Sequence, residues 1–207
     1  MIVIQLPLWS FIITSIFPVN TLLDRSRSSA ALPPSRRWGY SEFMTEVQKF
    51  EVVKKHDGFE IREFLPCVVA DVMTDGDIST AGNQGFRPLF NYISSNKISM
   101  TAPVLEEELA PEQWRTSFVM PAGSKLEDLP IPTGSPVTLR ELPAHRAAVL
   151  QFSGRITSKT SLQHEGKLRE MMLAQGLTAT GKARIARFDP PWKPPFARHN
   201  EVIIPIM

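Results

Sequence analysis

One short pattern occurs twice in this chain and limits its folding more than any other feature. Ile61-Arg62-Glu63-Phe64-Leu65-Pro66 is echoed by Val137-Thr138-Leu139-Arg140-Glu141-Leu142-Pro143. The adjoining segment repeats as well, because the apolar run Cys67 to Met73 has a counterpart in Arg146 to Phe152. A helical period and two further strand segments come after each run. The chain therefore reads as two copies of strand, strand, helix, strand, strand, about 47–121 and 136–206. Arg62 and Arg140 hold equivalent places, as do Glu63 and Glu141. A unit of that size cannot cover the apolar face of its own sheet, so the copies have to build one layer together. The fold class expected is α+β: duplicated strand-strand-helix-strand-strand units forming a curved antiparallel barrel-like sheet with two flanking helices.

Local signals fill in the elements. Phe50-Glu51-Val52-Val53 and Phe59 to Phe64 read as short strands, joined by the hairpin signal His56-Asp57-Gly58. Asp75-Gly76-Asp77 closes the strand that starts at Cys67. Phe86, Leu89, Phe90 and Ile93 fall at i, i+3, i+4 and i+7, one face of a helix. Pro88 damages a helix interior, so the helix is expected to begin near Gly85, with Pro88 in its first turn, or to kink there. Ile98 to Val104 alternates like a half-buried strand that ends or lies at an edge at Pro103. Trp114 to Met120 is the next strand, and 122–136 is a loop holding Pro130, Pro132, Gly134 and Pro136. In the second copy, Thr160-Ser161-Leu162-Gln163 has capping-box form and Gly176 suits a stop. These predict a helix over 160–175 with Leu162, Gly166, Leu168, Met172 and Leu173 on its apolar side. Strands over 182–189 and 201–206 close the unit. Asp189-Pro190-Pro191-Trp192-Lys193-Pro194-Pro195-Phe196, between them, is too rich in proline for either regular element.

Charge and cysteine content exclude several function classes. The 207 residues are 43% apolar, enough for one well-buried domain, which is placed at 41–207. The net charge of +2 is local in origin. Arg25, Arg27, Arg36 and Arg37 outweigh Asp24, leaving 19 basic and 20 acidic residues from Trp38 onward. No basic run follows residue 38, so no nucleic-acid partner is expected. Cys67 is the only cysteine, which rules out an internal disulfide and a thiolate metal cluster. Residues 1–40 are read as a leader or anchor outside the fold. Met1 to Leu23 carry no charged side chain and approach the length of a spanning helix, so membrane attachment through 1–23 is one reading. The arginines behind it would then favour a cytoplasmic C-terminal side. Cleavage at Ser28-Ser29-Ala30, part of an organellar transit segment, and an over-extended gene start are the others, so localisation is left open.

Five blocks, in order, resemble the SOUL haem-binding family. They are Phe59-Glu60-Ile61-Arg62; Gly85-Phe86-Arg87 through Tyr92-Ile93; Lys97-Ile98-Ser99-Met100-Thr101-Ala102-Pro103-Val104; Arg146 to Gly154; and Asp189-Pro190-Pro191 through Asn200-Glu201-Val202. The resemblance covers about 47–207. It implies the duplicated α+β barrel-like sheet already inferred, similar to the ligand-binding domains of GyrI-like regulators. It also implies binding of haem or related tetrapyrroles in an apolar groove, as a non-enzymatic carrier or buffer. Some members are credited with an axial histidine just after the Tyr-Glu-Ile-Arg motif; here that position is Glu63, so this ligation does not carry over. On the pattern of members without the histidine, the matching positions are Phe86, Phe90 and Asn91 on the first helix and Lys193 in the proline-rich loop. Arg87 is added as a propionate partner by proximity.

The residues by themselves leave plainer explanations open. Phe86, Leu89, Phe90 and Ile93 face a core whether or not a ligand binds. His56 and His145 fall in turns, His164 on a solvated helix face, and His199 before the last strand. Haem iron is held by His, Cys, Met or Tyr, yet Cys67 reads as a buried strand thiol and Met100 and Met120 as core, so no metal ligand is assigned. Trp192 and Phe196, fixed by prolines, are either packed or a pocket wall. No Gly-x-Ser-x-Gly, His-Glu-x-x-His, phosphate loop or dinucleotide fingerprint is present, and no catalytic residue is assigned. The enzyme alternative is a small-molecule hydrolase in which Glu63 and Glu141 converge on a groove. The other is a protein-interaction module without tetrapyrrole binding. Oligomeric state is not readable.

Overall fold

Two links of two residues each set the shape of the sheet. The computed structural model describes residues 46–207. Its strands are β1 (Glu46–Val47), β2 (Phe50–His56), β3 (Phe59–Phe64), β4 (Cys67–Asp75), β5 (Thr101–Ala102), β6 (Val104–Ala110), β7 (Gln113–Val119), β8 (Thr138–Leu142), β9 (His145–Phe152), β10 (Arg184–Arg187) and β11 (Asn200–Pro205). The helices are α1 (Ile78–Ser95) and α2 (Ser158–Ala174). Nine strands form one sheet in the order β2-β3-β9-β11-β10-β6-β7-β4-β8, all neighbours antiparallel. β1 and β5 make a separate parallel pair. Only Leu65-Pro66 joins β3 to β4, and only Pro143-Ala144 joins β8 to β9, although each pair stands six places apart in that order. Six strand spacings in a flat sheet come to about 29 Å. A two-residue link spans at most ~11 Å. The sheet therefore has to curl until its two ends nearly meet.

Both faces of the curl are apolar, for different reasons. The inner face gathers Phe64, Val69, Leu105, Leu142, Val149 and Ile203 into one cluster drawn from strands along the whole order. On the outer face, Leu168 and Met172 of α2 pack on Ile61, Leu150, Val202 and Ile204, and Ile78 of α1 joins them. α1 lies on β4 and β7, α2 on β9 and β11.

Several boundaries differ from expectation. α1 begins at Ile78, not near Gly85, because Asp77 caps it by accepting from the backbone N–H groups of Ser79 and Thr80 at 2.8 and 3.0 Å. Pro88 thus stands inside the helix, not in its first turn. Gly85, expected near the start of the helix, and Gly82 instead let it lie against the sheet. A Cβ on Gly85 would sit 2.6 Å from Thr116 Cβ, and one on Gly82 would collide with the Glu106 carboxylate. The strand expected over Ile98 to Val104 is split. Lys97 turns the chain at φ 55°, 98–100 form no strand, and β6 starts only beyond Pro103. Met100 is accordingly 38% exposed and not core, while Met120 is buried.

In the second half, Thr157 caps α2, exchanging hydrogen bonds with Thr160; the capping box sits three residues earlier than expected. Leu162 and Leu173 are exposed, and the inward side is Ser161, Leu168 and Met172. The strand expected over 182–189 shortens to Arg184–Arg187, and the one expected over 201–206 is shifted by one residue to Asn200–Pro205. His56 closes β2 and His145 opens β9, so neither lies in a turn. Among the described residues no helix is long and apolar enough to cross a membrane, and the expectations for 1–40 lie outside them.

Candidate functional site

α1 and the proline-rich loop meet the same row of the sheet. Phe86 is buried against Phe118 of β7, edge to face with centroids 5.0 Å apart. Phe118 is paired with Val104 of β6, and Val104 with Arg187, the last residue of β10. The loop bearing Lys193 leaves the sheet there. Arg187 also reaches beneath α1, where it holds the buried Glu106 through Nε and Nη2 at 3.0 and 2.7 Å. Burial pushes the Glu106 carboxyl above its usual range, against the pull of Arg187.

The expected site residues divide into two groups. Phe86 and Phe90 stack one turn apart, centroids 5.8 Å apart; Phe86 is buried and Phe90 only half-buried. Arg87 and Asn91, also one turn apart, are exposed. Lys193 stands on the other group's ground, the loop between β10 and β11, where Nζ meets Asp189 Oδ1 at 2.7 Å. Trp192 and Phe196 on either side of it are 61% and 81% exposed, so they are surface aromatics and not packing residues.

Asp189 organises this loop, and sequence reasoning missed it. Its Oδ2 accepts the His199 backbone N–H at 2.6 Å while Oδ1 holds Lys193. Burial opposes ionisation here, but the Lys193 ammonium and the His199 N–H outweigh it and hold the carboxyl below its ordinary range. A lowered carboxylate pKa contributes stability that is present above the unfolded-state value and lost as pH falls through the folded one. Asp189→Asn should therefore flatten the acid side of the stability curve, read as urea midpoints from about pH 7 to about pH 3, where carboxylates titrate. Superimposable acid limbs for the two proteins would contradict this role.

All four histidines have partners. His56 stacks on Phe59 at 4.5 Å, and His164 on Phe152 at 4.1 Å. His199 stacks on Phe188 at 4.1 Å and donates from Nε2 to Glu201 at 2.8 Å. His145 lies between the Pro143 carbonyl and Arg184. Cys67 is half-buried, and its thiol is pushed up by burial despite a 3.5 Å contact from Gln48 Nε2. Glu63, the position where an axial histidine would stand, is tied to Arg146 at 3.0 Å. It stands on the outer face with Ile61, and Glu141 lies on β8 at the far end of the strand order. Glu63 and Glu141 therefore both stand on the outer face, not in the inner groove of the curl.

The inner face carries charge that the sequence reading assigned elsewhere. Arg62 points inward, on the face opposite Glu63. Its Nη1 meets both oxygens of the buried Glu201 at 3.0 Å, its Nε meets Glu60 at 2.9 Å, and its guanidinium lies 4.1 Å over the Phe50 ring.

A strongly curled antiparallel half-barrel with an apolar inside and two helices on its outside defines the class of the fold, the GyrI-like type. Solved structures agree with that class. The EcmrR C-terminal domain matches with a TM-score of 0.58 at 14% identity, over 72% of this chain and 96% of that one. A crystal structure described as a hydrolase from Listeria innocua matches with a TM-score of 0.51 at 12% identity, over 75% and 94%. At such identities the likeness shows the fold alone. No curated protein matches this chain. The family model described as SOUL heme-binding protein matches residues 45–205, and the chain belongs to that family.

Proposed function

We propose that this protein binds haem or a related tetrapyrrole against α1 and the Lys193 loop, as a non-enzymatic carrier or buffer. One observation carries the placement: Lys193 sits between two exposed aromatics, Trp192 and Phe196, on a loop that leaves the sheet beside α1. Exposed aromatic surface next to a cation suits a flat apolar macrocycle edged with carboxylates. Phe90 would add apolar contact, with Arg87 and Asn91 as polar partners along the helix. None of these residues is an iron ligand, and the ring nitrogens of His145 and His199 are already hydrogen-bonded, so binding is expected to be weak and promiscuous. The strand order also supports reading 41–207 as one domain of two copies. β3, β4, α1, β6 and β7 correspond to β8, β9, α2, β10 and β11, with the first strand of each copy paired to the other copy's second.

Haemin titration followed by Soret absorbance tests the reading. Lys193→Ala should weaken binding up to about fivefold, as fits an exposed ion pair worth about 1 kcal/mol. Phe90→Ala should weaken it about tenfold, by loss of half-buried apolar area. Glu63→Ala should leave it unchanged. No saturable shift by about 10 µM haemin, where a micromolar complex forms, ends the proposal.

A further inference from the structure

The inside of the curl has an uneven distribution of charge. Four of its arginines face four carboxylates, yet Arg62 engages two of these, Glu60 and Glu201. Arg115 takes Glu107 and Arg140 takes Asp71. Arg184 is left with no carboxylate in salt-bridge range among the described residues. Its one hydrogen bond runs from Nη2 to His145 Nε2 at 3.1 Å. Because a guanidinium only donates, that ring nitrogen accepts, and His145 Nδ1–H donates to the Pro143 carbonyl at 2.9 Å. The partner of Arg184 is thus a neutral imidazole. Burial lowers the arginine's pKa; Glu107 on the facing strand opposes this, and Arg140 and Arg115 add to it. The Nε–H of Arg115 is buried without a partner. Arg184 is thus a half-buried cation whose nearest opposite charge, Glu107 on the facing strand, is already bound to Arg115, an arrangement that leaves it short of a counter-charge.

A cavity of about 310 Å³ lies beside Cys67, lined also by Val47, Leu65, Val119 and Met120, with Glu46 and Lys49 as its charged residues and none of the four arginines in its wall. Its size is at the low end of small-molecule sites. Cys67 joins cavity and cluster: it lines the cavity, and on β4 it pairs with Leu142, two residues from Arg140 on the same inner face of β8.

We propose that the inner face is a second binding site, separate from α1, for an amphipathic organic anion. The apolar body occupies the cavity beside Cys67 and the oxyanion head is held by Arg184, with Arg140 and Arg115 around it. Carboxylate and phosphate heads share the chemistry required, and a cationic head is excluded.

Cys67 is the only thiol in the chain and so reports on the site. The full-length protein is reacted with the neutral reagent 4,4′-dithiodipyridine in the presence of octanoate, octyl phosphate or octyltrimethylammonium. One or both anions should slow the reaction saturably, and the tighter of the two identifies the head group; the cation should not slow it. Arg184→Met should raise the half-protecting concentration about tenfold, equivalent to about 1.4 kcal/mol. Its melting temperature should not fall, because the substitution removes a half-buried charge that no carboxylate binds directly. Phe90→Ala should leave protection as it is, which separates this site from the one against α1. Equal protection by the cation, no protection by either anion, or protection that survives in a folded Arg184→Met protein overturns the proposal.

Discussion

Glu201→Ala should lower the free energy of unfolding by about 3–5 kcal/mol, the usual cost of stripping one partner from a buried ion pair. Glu201 is 1% exposed, at the inner face of a strand flanked on both sides by others. Both its oxygens meet Arg62, and His199 donates to one of them. Without the carboxylate, Arg62 stays buried with only the partly exposed Glu60, and His199 loses its acceptor. The double replacement Arg62→Met with Glu201→Leu should recover most of the loss, since well-packed apolar substitutes for buried ion pairs are often neutral. Urea unfolding decides it. A loss in Glu201→Ala below about 1 kcal/mol would place the pair with surface salt bridges.

Gly82→Ala and Gly85→Ala should each destabilise the protein, although alanine favours a helix interior by up to about 1 kcal/mol. The Cβ on Gly85 would stand 2.6 Å from both Cβ and Oγ1 of Thr116, a residue with no solvent exposure. The one on Gly82 would enter the Glu106 carboxylate, itself fixed by Arg187. Neither neighbour is the free end of a flexible chain, so α1 has to lift, at an overpacking cost of about 1–3 kcal/mol per site. If α1 forms part of the haemin site, affinity should fall along with the unfolding midpoint. A raised midpoint in either variant would mean that the helix rides higher than its glycines imply.

How much was legible in the sequence depends on what alternation and periodicity encode. Phe86, Leu89 and Ile93 announced a helix, and all three are buried on it. Its first two turns stayed hidden because the contact that stabilises them needs glycine, the residue that local propensity counts against a helix. Alternation over Phe59 to Phe64 gave the two faces of β3 but could not say which would be enclosed, since both faces of this sheet are covered. Hence only the folded sheet shows that Arg62 goes inside and Glu63 outside. The two short links were in plain view as Leu65-Pro66 and Pro143-Ala144. Their force emerges only with the strand order, which depends on pairings far apart in the chain. Asp189 was missed for a related reason: its partners Lys193 and His199 are near in sequence, but only a folded loop directs one carboxylate at both.

The position of β11 in the strand order bears on how this protein is made. It is made after the other eight strands of this sheet, yet it lies fourth of nine, between β9 and β10. Until it is synthesised, β2, β3 and β9 can form one open piece and β10, β6, β7, β4 and β8 another, each with an unpaired edge where β11 belongs. Such edges attract other chains. Glu201, on that strand, is therefore the counter-charge that Arg62 awaits until β11 itself has been made, and shielding of the nascent chain matters most in that interval.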